Sequence, residues 1–322
     1  MTGSKRRAAS TARLFFFPWA FEDQRDSARI PGVAWEPRLR QTPCVLYVAV
    51  DDLIPVRGKA IPGFDEFTAA LDRTGIPAVW VTSRSRLQFD EPRRRLGHGH
   101  PFIAEGGCGV YLPKDYFHLR PKEAPADGRR ASTISLGRFA CIPFAKLLPA
   151  AAEGMAALSE DTGVPIVALR SLSPRELSQN TGLPPREAEL ARQRDFDELF
   201  FFAEASLASI DHFIEDGRKR GLEFRRQGTL WSAAIGASAQ RCVAALTKLY
   251  DRALRYHAPS VAVATTEFSP GLFPHCDRTI LLSDSRAESP STGPLHSPRT
   301  REIPLHSQAV WEQLLTSITA RF

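Results

Sequence analysis

Apolar and polar positions along this chain follow two alternating periods. The run "CVLYVAV" at residues 44–50 is short and continuously apolar, as in a strand buried on both faces. Next comes "GFDEFTAALDRTG", whose apolar residues recur at helical spacing and which closes on Gly75. "IPAVWVTS" repeats the strand pattern, and "RSRLQFDEPRRRLG" predicts a second helix, disturbed at Pro92. "PFIAEGGCGVYLP" reads as strand, turn and strand. Such units, joined by short connections, predict an α/β fold: a doubly wound parallel sheet with helices on its faces.

The pattern changes in the middle of the chain. "FACIPFAKLLPAAAEGMAALSEDTG" has helical periodicity and "PIVALRS" that of a strand. "SPRELSQNTG" opens with Ser173, Pro174 and Glu176 in the order of a capping box. "PPREAELARQRDFDE" starts another helix, and "ELFFFAEAS" and "LEFRRQGTLWSAAIG" read as strands around the helix "SIDHFIEDGRKRG". Alternation then resumes with the helix "SAQRCVAALTKLYDRALRY" and the strands "SVAVATTE" and "RTILLSD". The stretch "SRAESPSTGPLHSPRTREIPLH" is expected to be a polar loop, and "SQAVWEQLLTSITARF" a closing helix. The expected organisation is an irregular arm over 1–42, a core made of 43–112 and 236–322, and an inserted α+β cap over 113–235.

Composition narrows the classes. At 43% hydrophobic and 24% charged, the chain is globular in character. No run reaches the roughly 18 apolar residues of a membrane span. The apolar patch after "MTGSKRRAASTAR" contains Pro18 and has no small-residue cleavage site behind it, so a signal peptide is not expected. Five scattered cysteines (Cys44, Cys108, Cys141, Cys242, Cys276) argue against zinc and disulfide frameworks and suit the cytoplasm. A net charge of +6 raises the question of nucleic acid, but the basic runs are short and no binding motif accompanies them. Neither nucleic acid nor membrane is an expected partner.

The first strand ends in two adjacent acids, Asp51 and Asp52. Consecutive strand residues point to opposite faces, so the pair is poorly spaced for joint catalysis. Further along, "GIPAVWVTSRSR", "PFIAEGGCGVYLP" and "LSPRELSQNTGLPPREAELARQRDFDELF" occur in an order and spacing that resemble the haloacid dehalogenase (HAD) superfamily. They look most like its mannosyl-3-phosphoglycerate phosphatase branch. The resemblance runs from about residue 43 to the C-terminus. It implies a crevice between core and cap, and a first-strand aspartate that attacks phosphorus. It also implies a second acid two positions on, a phosphate-holding lysine, and Mg2+ bound by further acids.

Against that pattern the chemistry is depleted. One register puts Ala49 at the nucleophile and Asp51 at the acid/base; the other makes Asp51 the nucleophile and leaves Leu53 at the second acid. The lysine position falls on Gln240, and the metal acids fall on Thr265 and Ser269, with Glu267 nearby. Thr229 and Ser232 stand where the branch has a substrate-binding Arg and His. The resemblance thus implies a phosphatase-like protein impaired in catalysis. Such a protein would bind a phosphorylated sugar or glycerate derivative, or serve a protein partner. The alternative is an active Mg2+-dependent phosphatase with a rearranged site built on Asp51.

Each remaining candidate has a plainer reading beside it. Thr82 either donates to a phosphate oxygen or caps the following helix, and Arg84 would attract an anion. Glu105, Gly106 and Gly107 either line the crevice or form a tight turn. Arg194, Asp195 and Glu198 match the branch's substrate-facing cap segment, or else end a solvated helix. His98 and His100 lack further metal ligands at a recognisable spacing and read as loop residues. Asp51 alone would hold a cation only weakly.

Overall fold

The computed structural model describes residues 42–56, 60–118, 132–227, 229–265, 276–283, 300–307 and 309–320. The expected arm lies outside these residues except for Thr42. The chain begins with β1 (Val45–Ala49), α1 (Phe64–Thr74), β2 (Ala78–Val81), α2 (Arg86–Arg95), β3 (Phe102–Ala104) and β4 (Gly109–Leu112). Then follow β5 (Ile134–Leu136), β6 (Phe139–Pro143), α3 (Leu148–Thr162), β7 (Ile166–Ala168), α4 (Pro174–Thr181), α5 (Pro185–Arg192) and β8 (Glu198–Phe202). The remainder is α6 (Leu207–Lys219), β9 (Leu222–Gln227), β10 (Leu230–Ile235), α7 (Ala239–Leu254), β11 (Ser260–Thr265), β12 (Arg278–Ser283), β13 (Thr300–Pro304) and α8 (Val310–Thr319).

The larger sheet runs β13-β12-β11-β1-β2-β3-β4-β6-β5, and β1 sits between β11 and β2 with parallel pairing on both sides. Strands β13 through β3 are parallel, and the β4, β6 and β5 edge is antiparallel. Alternate residues of β1 feed two cores. Leu46 and Val48 pack with Phe64, Phe89 and Leu314 from α1, α2 and α8, whereas Tyr47 and Ala49 pack with Val243, Leu246 and Tyr250 from α7. Helices therefore cover both faces, as the α/β pattern predicts.

The smaller sheet is antiparallel, in the order β7-β8-β10-β9. One of its faces packs on α3 and α6 through Phe200, Phe213 and Leu158. The other meets α4 and α5 through Leu199, Leu177 and Ala188. Ser173 and Glu176 form the capping box read from the sequence.

Three local expectations change. "FACIP" is strand β6 and not helix: it pairs with β4 and β5, and α3 starts only at Leu148. Both β5 and β6 therefore extend the larger sheet from within the span expected for the cap. Residues 300–304, expected in a polar loop, form β13. This edge strand buries only Ile303 fully and exposes Arg301 and Glu302, so its sequence carries almost no apolar signal. Helix α2 runs on through Pro92.

Candidate functional site

A doubly wound sheet gathers its ligand crevice beyond the carboxyl ends of its parallel strands. Here β1 ends at Ala49, and the chain turns at once: the backbone N–H groups of Leu53 and Ile54 donate to Val50 O at 3.1 and 2.8 Å. Asp51 and Asp52 thus lie in a turn, where strand alternation no longer governs them. They diverge toward opposite neighbours. Asp52 accepts from Thr265 Oγ1 at the end of β11, and Asp51 leans onto the segment after β2.

Both oxygens of Asp51 are engaged. Oδ2 receives the Ser83 backbone N–H at 2.7 Å and the Ser83 hydroxyl at 2.6 Å. Oδ1 receives the Thr82 hydroxyl, with Arg84 Nε 3.6 Å away. The Arg84 guanidinium is itself tied down, donating to Asp51 O at 3.1 Å and to Ile54 O. Burial lowers the basicity of Arg84, an effect that Asp51 opposes. Thr82 is not a helix cap. That role belongs to Ser85, whose side chain accepts from Gln88 N at 3.1 Å and donates to Leu190 O at 2.9 Å.

A second cluster stands against the first. Glu105, Gly106 and Gly107 follow β3 in consecutive left-handed conformations, with φ of 51°, 60° and 98°. Glu105 N donates to Arg84 O at 3.1 Å, and Gly106 N to Thr82 O at 3.0 Å. The Glu105 carboxylate points into the segment before β8. There it accepts the backbone N–H groups of Asp195, Phe196 and Asp197 at 2.9, 2.8 and 3.0 Å. The two glycines permit close approach. A Cβ on Gly106 would lie 2.4 Å from Arg225 Nη1, and one on Gly107 2.2 Å from Ala239 N at the start of α7.

The side chains of 194–197 complete this joint. Arg194 and Asp197 form a buried pair, and Arg194 Nη2 also reaches Ser83 O at 2.7 Å. Asp195 takes Arg86 Nε at 2.9 Å and the Tyr111 hydroxyl at 2.8 Å. Burial, with Asp197 beside it, pushes the Glu105 carboxyl up to about 8. Burial works against the charge on Arg194, but Asp197 and Glu105 outweigh it and raise its pKa.

Asp51, Thr82, Arg84, Glu105, Gly106, Gly107 and Arg194 therefore form one continuous network. Glu198 does not join them. It pairs with Arg170 at 2.6 Å, and burial pushes it up to about 7. Of the positions read as depleted, Ala49 ends β1, Gln240 lies in the first turn of α7, and Thr265 ends β11. Ser269 and Glu267 lie outside the described residues. His98 and His100 hold structural partners: the first stacks on Trp80 and bonds Ala78 O at 2.7 Å, the second bonds Tyr116 and Asp72.

The described residues do not assemble a magnesium site, which wants several oxygen ligands in octahedral array. Ala49 offers no oxygen from its side chain, and both Asp51 oxygens already face donors. Glu105, Cys108 and Asp197 converge within 4.8 Å, but Glu105 already accepts three backbone N–H groups, Asp197 is paired with Arg194, and burial raises the pKa of the Cys108 thiol.

The sequence reading did not single out Ser83, Arg86, Asp197 or Arg225. Their signal was faint: Ser83, Arg86 and Arg225 are polar residues whose partners lie about 30 to 120 positions away, and Asp197 pairs with Arg194 only three positions back but inside a buried joint.

No family model matches the chain. It is 28% identical over 190 residues to a glucosyl-3-phosphoglycerate/mannosyl-3-phosphoglycerate phosphatase of Methanococcoides burtonii, a match covering 58% of this chain and 66% of that one. The chain thus spans just under two thirds of that relative's length. It is 22% identical over 230 residues to a mannosyl-3-phosphoglycerate phosphatase of Pyrococcus furiosus, covering 71% and 86% of the two chains. Among solved structures, a hypothetical protein of Geobacillus kaustophilus shares the fold with a TM-score of 0.52 at 12% identity, over 85% of this chain and 98% of that one.

Proposed function

With the chain a member of the haloacid dehalogenase superfamily, we propose that it is a phosphatase-like protein that binds a phosphorylated sugar or glycerate derivative and does not hydrolyse it effectively. One observation carries this reading. The last residue of β1 is Ala49, and the next carboxylate along the chain, Asp51, is held by Thr82, Ser83 and Arg84.

The chemistry behind it is simple. An aspartyl-phosphate needs a carboxylate oxygen free to approach phosphorus, and an alanine methyl supplies none. Asp51 accepts three hydrogen bonds beside a guanidinium, so its oxygens are already engaged and not free to approach phosphorus. The family's phosphate-holding lysine position falls on Gln240, a neutral amide. Binding is better supported than turnover, because Thr82, Ser83 and Arg84 remain oxyanion donors at the crevice. The names of the relatives point to mannosyl- or glucosyl-3-phosphoglycerate as the ligand class.

The test is hydrolysis of mannosyl-3-phosphoglycerate and of a generic aryl phosphate, with magnesium present. Turnover at the uncatalysed rate is expected. Robust turnover that Asp51→Asn abolishes would overturn the proposal in favour of an active magnesium-dependent phosphatase.

A further inference from the structure

An ionised carboxylate accepts hydrogen bonds and donates none, so the groups around it define an anion site. Around Asp51 those groups are the Thr82 hydroxyl, the Ser83 hydroxyl at 2.6 Å, the Ser83 backbone N–H at 2.7 Å and Arg84 Nε at 3.6 Å. All four come from three consecutive residues at the carboxyl end of β2, and Arg84 is held in place by carbonyls of the 51–54 turn. Asp52, the neighbouring acid, leans away onto Thr265, and among the acids that act electrostatically on Arg84 it ranks behind Asp51 and Glu187. The Asp51 side chain is 16% exposed, which leaves the niche open to solvent at its mouth.

We infer that Asp51 is the intramolecular occupant of an oxyanion niche, and that a ligand's phosphoryl group binds there only by displacing it. The inference rests on reading the crevice as a phosphoryl site. A phosphoryl group presents the same negative charge and the same acceptor-only oxygens, so it competes for the same four donors. Its apparent affinity is then set by the fraction of molecules in which Asp51 has swung out. The turn supports such a swing, because Asp51 lies beyond the last strand residue and its side chain is not part of the sheet core. Wild type is thus held in a self-blocked state, and removing one carboxylate unblocks it.

The experiment titrates inorganic phosphate, without added metal, into wild type, Asp51→Ala and Asp51→Ala combined with Thr82→Val and Ser83→Ala, using calorimetry. Freeing charge-assisted hydrogen bonds is expected to tighten phosphate binding by Asp51→Ala about tenfold or more, and the triple variant is expected to lose that gain. Equal binding by wild type and Asp51→Ala overturns the inference, as does a gain that survives in the triple variant. Circular dichroism checks folding. If Asp51→Ala does not fold, Asp51→Gly makes the same comparison with the niche equally vacated, and equal binding overturns the inference again. Turnover by wild type alongside a phosphate gain in Asp51→Ala would remove only the claim of impaired catalysis.

Discussion

A buried guanidinium is tolerated while its carboxylate partner is in place, and costs heavily once it is not. Arg194 and Asp197 are such a pair, with side chains 2% and 0% exposed. Arg194→Ala is expected to destabilise the fold by about 3–5 kcal/mol, read as the shift in a urea unfolding curve. A change within about 0.5 kcal/mol, typical of a surface residue, would show that the pair is not buried as described. The pair is only three residues apart in sequence, yet "RDFD" also reads as a solvated helix end, because the pattern does not say what covers it. Asp51 shows the same limit. Its identity as the one acid worth testing was legible from spacing against the family pattern. The three donors that hold it were not, because they depend on a turn at 51–53 that returns the chain toward β2.

At the scale of elements, most of the pattern was readable. The strands β1, β2, β3 and β4 were legible as short apolar runs, and α1 and α7 as amphipathic periods with identifiable ends. The failures have separate causes. Strand β6 is apolar at a spacing that fits either period, and its pairing with β4 decides the outcome. Strand β13 lies at the sheet edge with one deeply buried residue, so it lacks the alternation on which strand reading depends. The joint between β3 and α7 depends on Gly107, whose φ is 98° and where an added Cβ would lie 2.2 Å from Ala239 N, leaving no room for a methyl group. Gly107→Ala is expected to cost roughly 1–3 kcal/mol in urea unfolding, overpacking adding to the strain of its positive φ. Gly163→Ala is the control. Its φ is also positive, at 67°, but nothing lies near its Cβ, so it should suffer only the smaller conformational penalty.

For the whole molecule, the acid buried at the meeting of the two sheets predicts a pH dependence. Glu105 titrates at about 8 in the folded chain against an ordinary 4.5. Between about 4.5 and about 8 the unfolded chain has released a proton that the folded chain keeps, so stability falls as pH rises through that window. Glu198, pushed up to about 7, adds to the same slope. Glu105→Gln removes one of the two contributions, and its unfolding midpoint is expected to vary less with pH than that of wild type. An identical slope in the two proteins would refute the assignment. "EGGCG" suggested either a crevice lining or a tight turn, and neither reading carries a carboxylate buried against the backbone of 195–197.

The contact between Glu105 and residues 195–197 has a consequence for how the protein tolerates sequence drift. Its three donors are backbone N–H groups, so no side-chain replacement at 195, 196 or 197 removes them unless it introduces proline. The acceptor is a single side chain, and every change at 105 alters it. Inheritance is therefore lopsided across this seam: one partner is anchored by chemistry common to nearly all amino acids, the other by one codon.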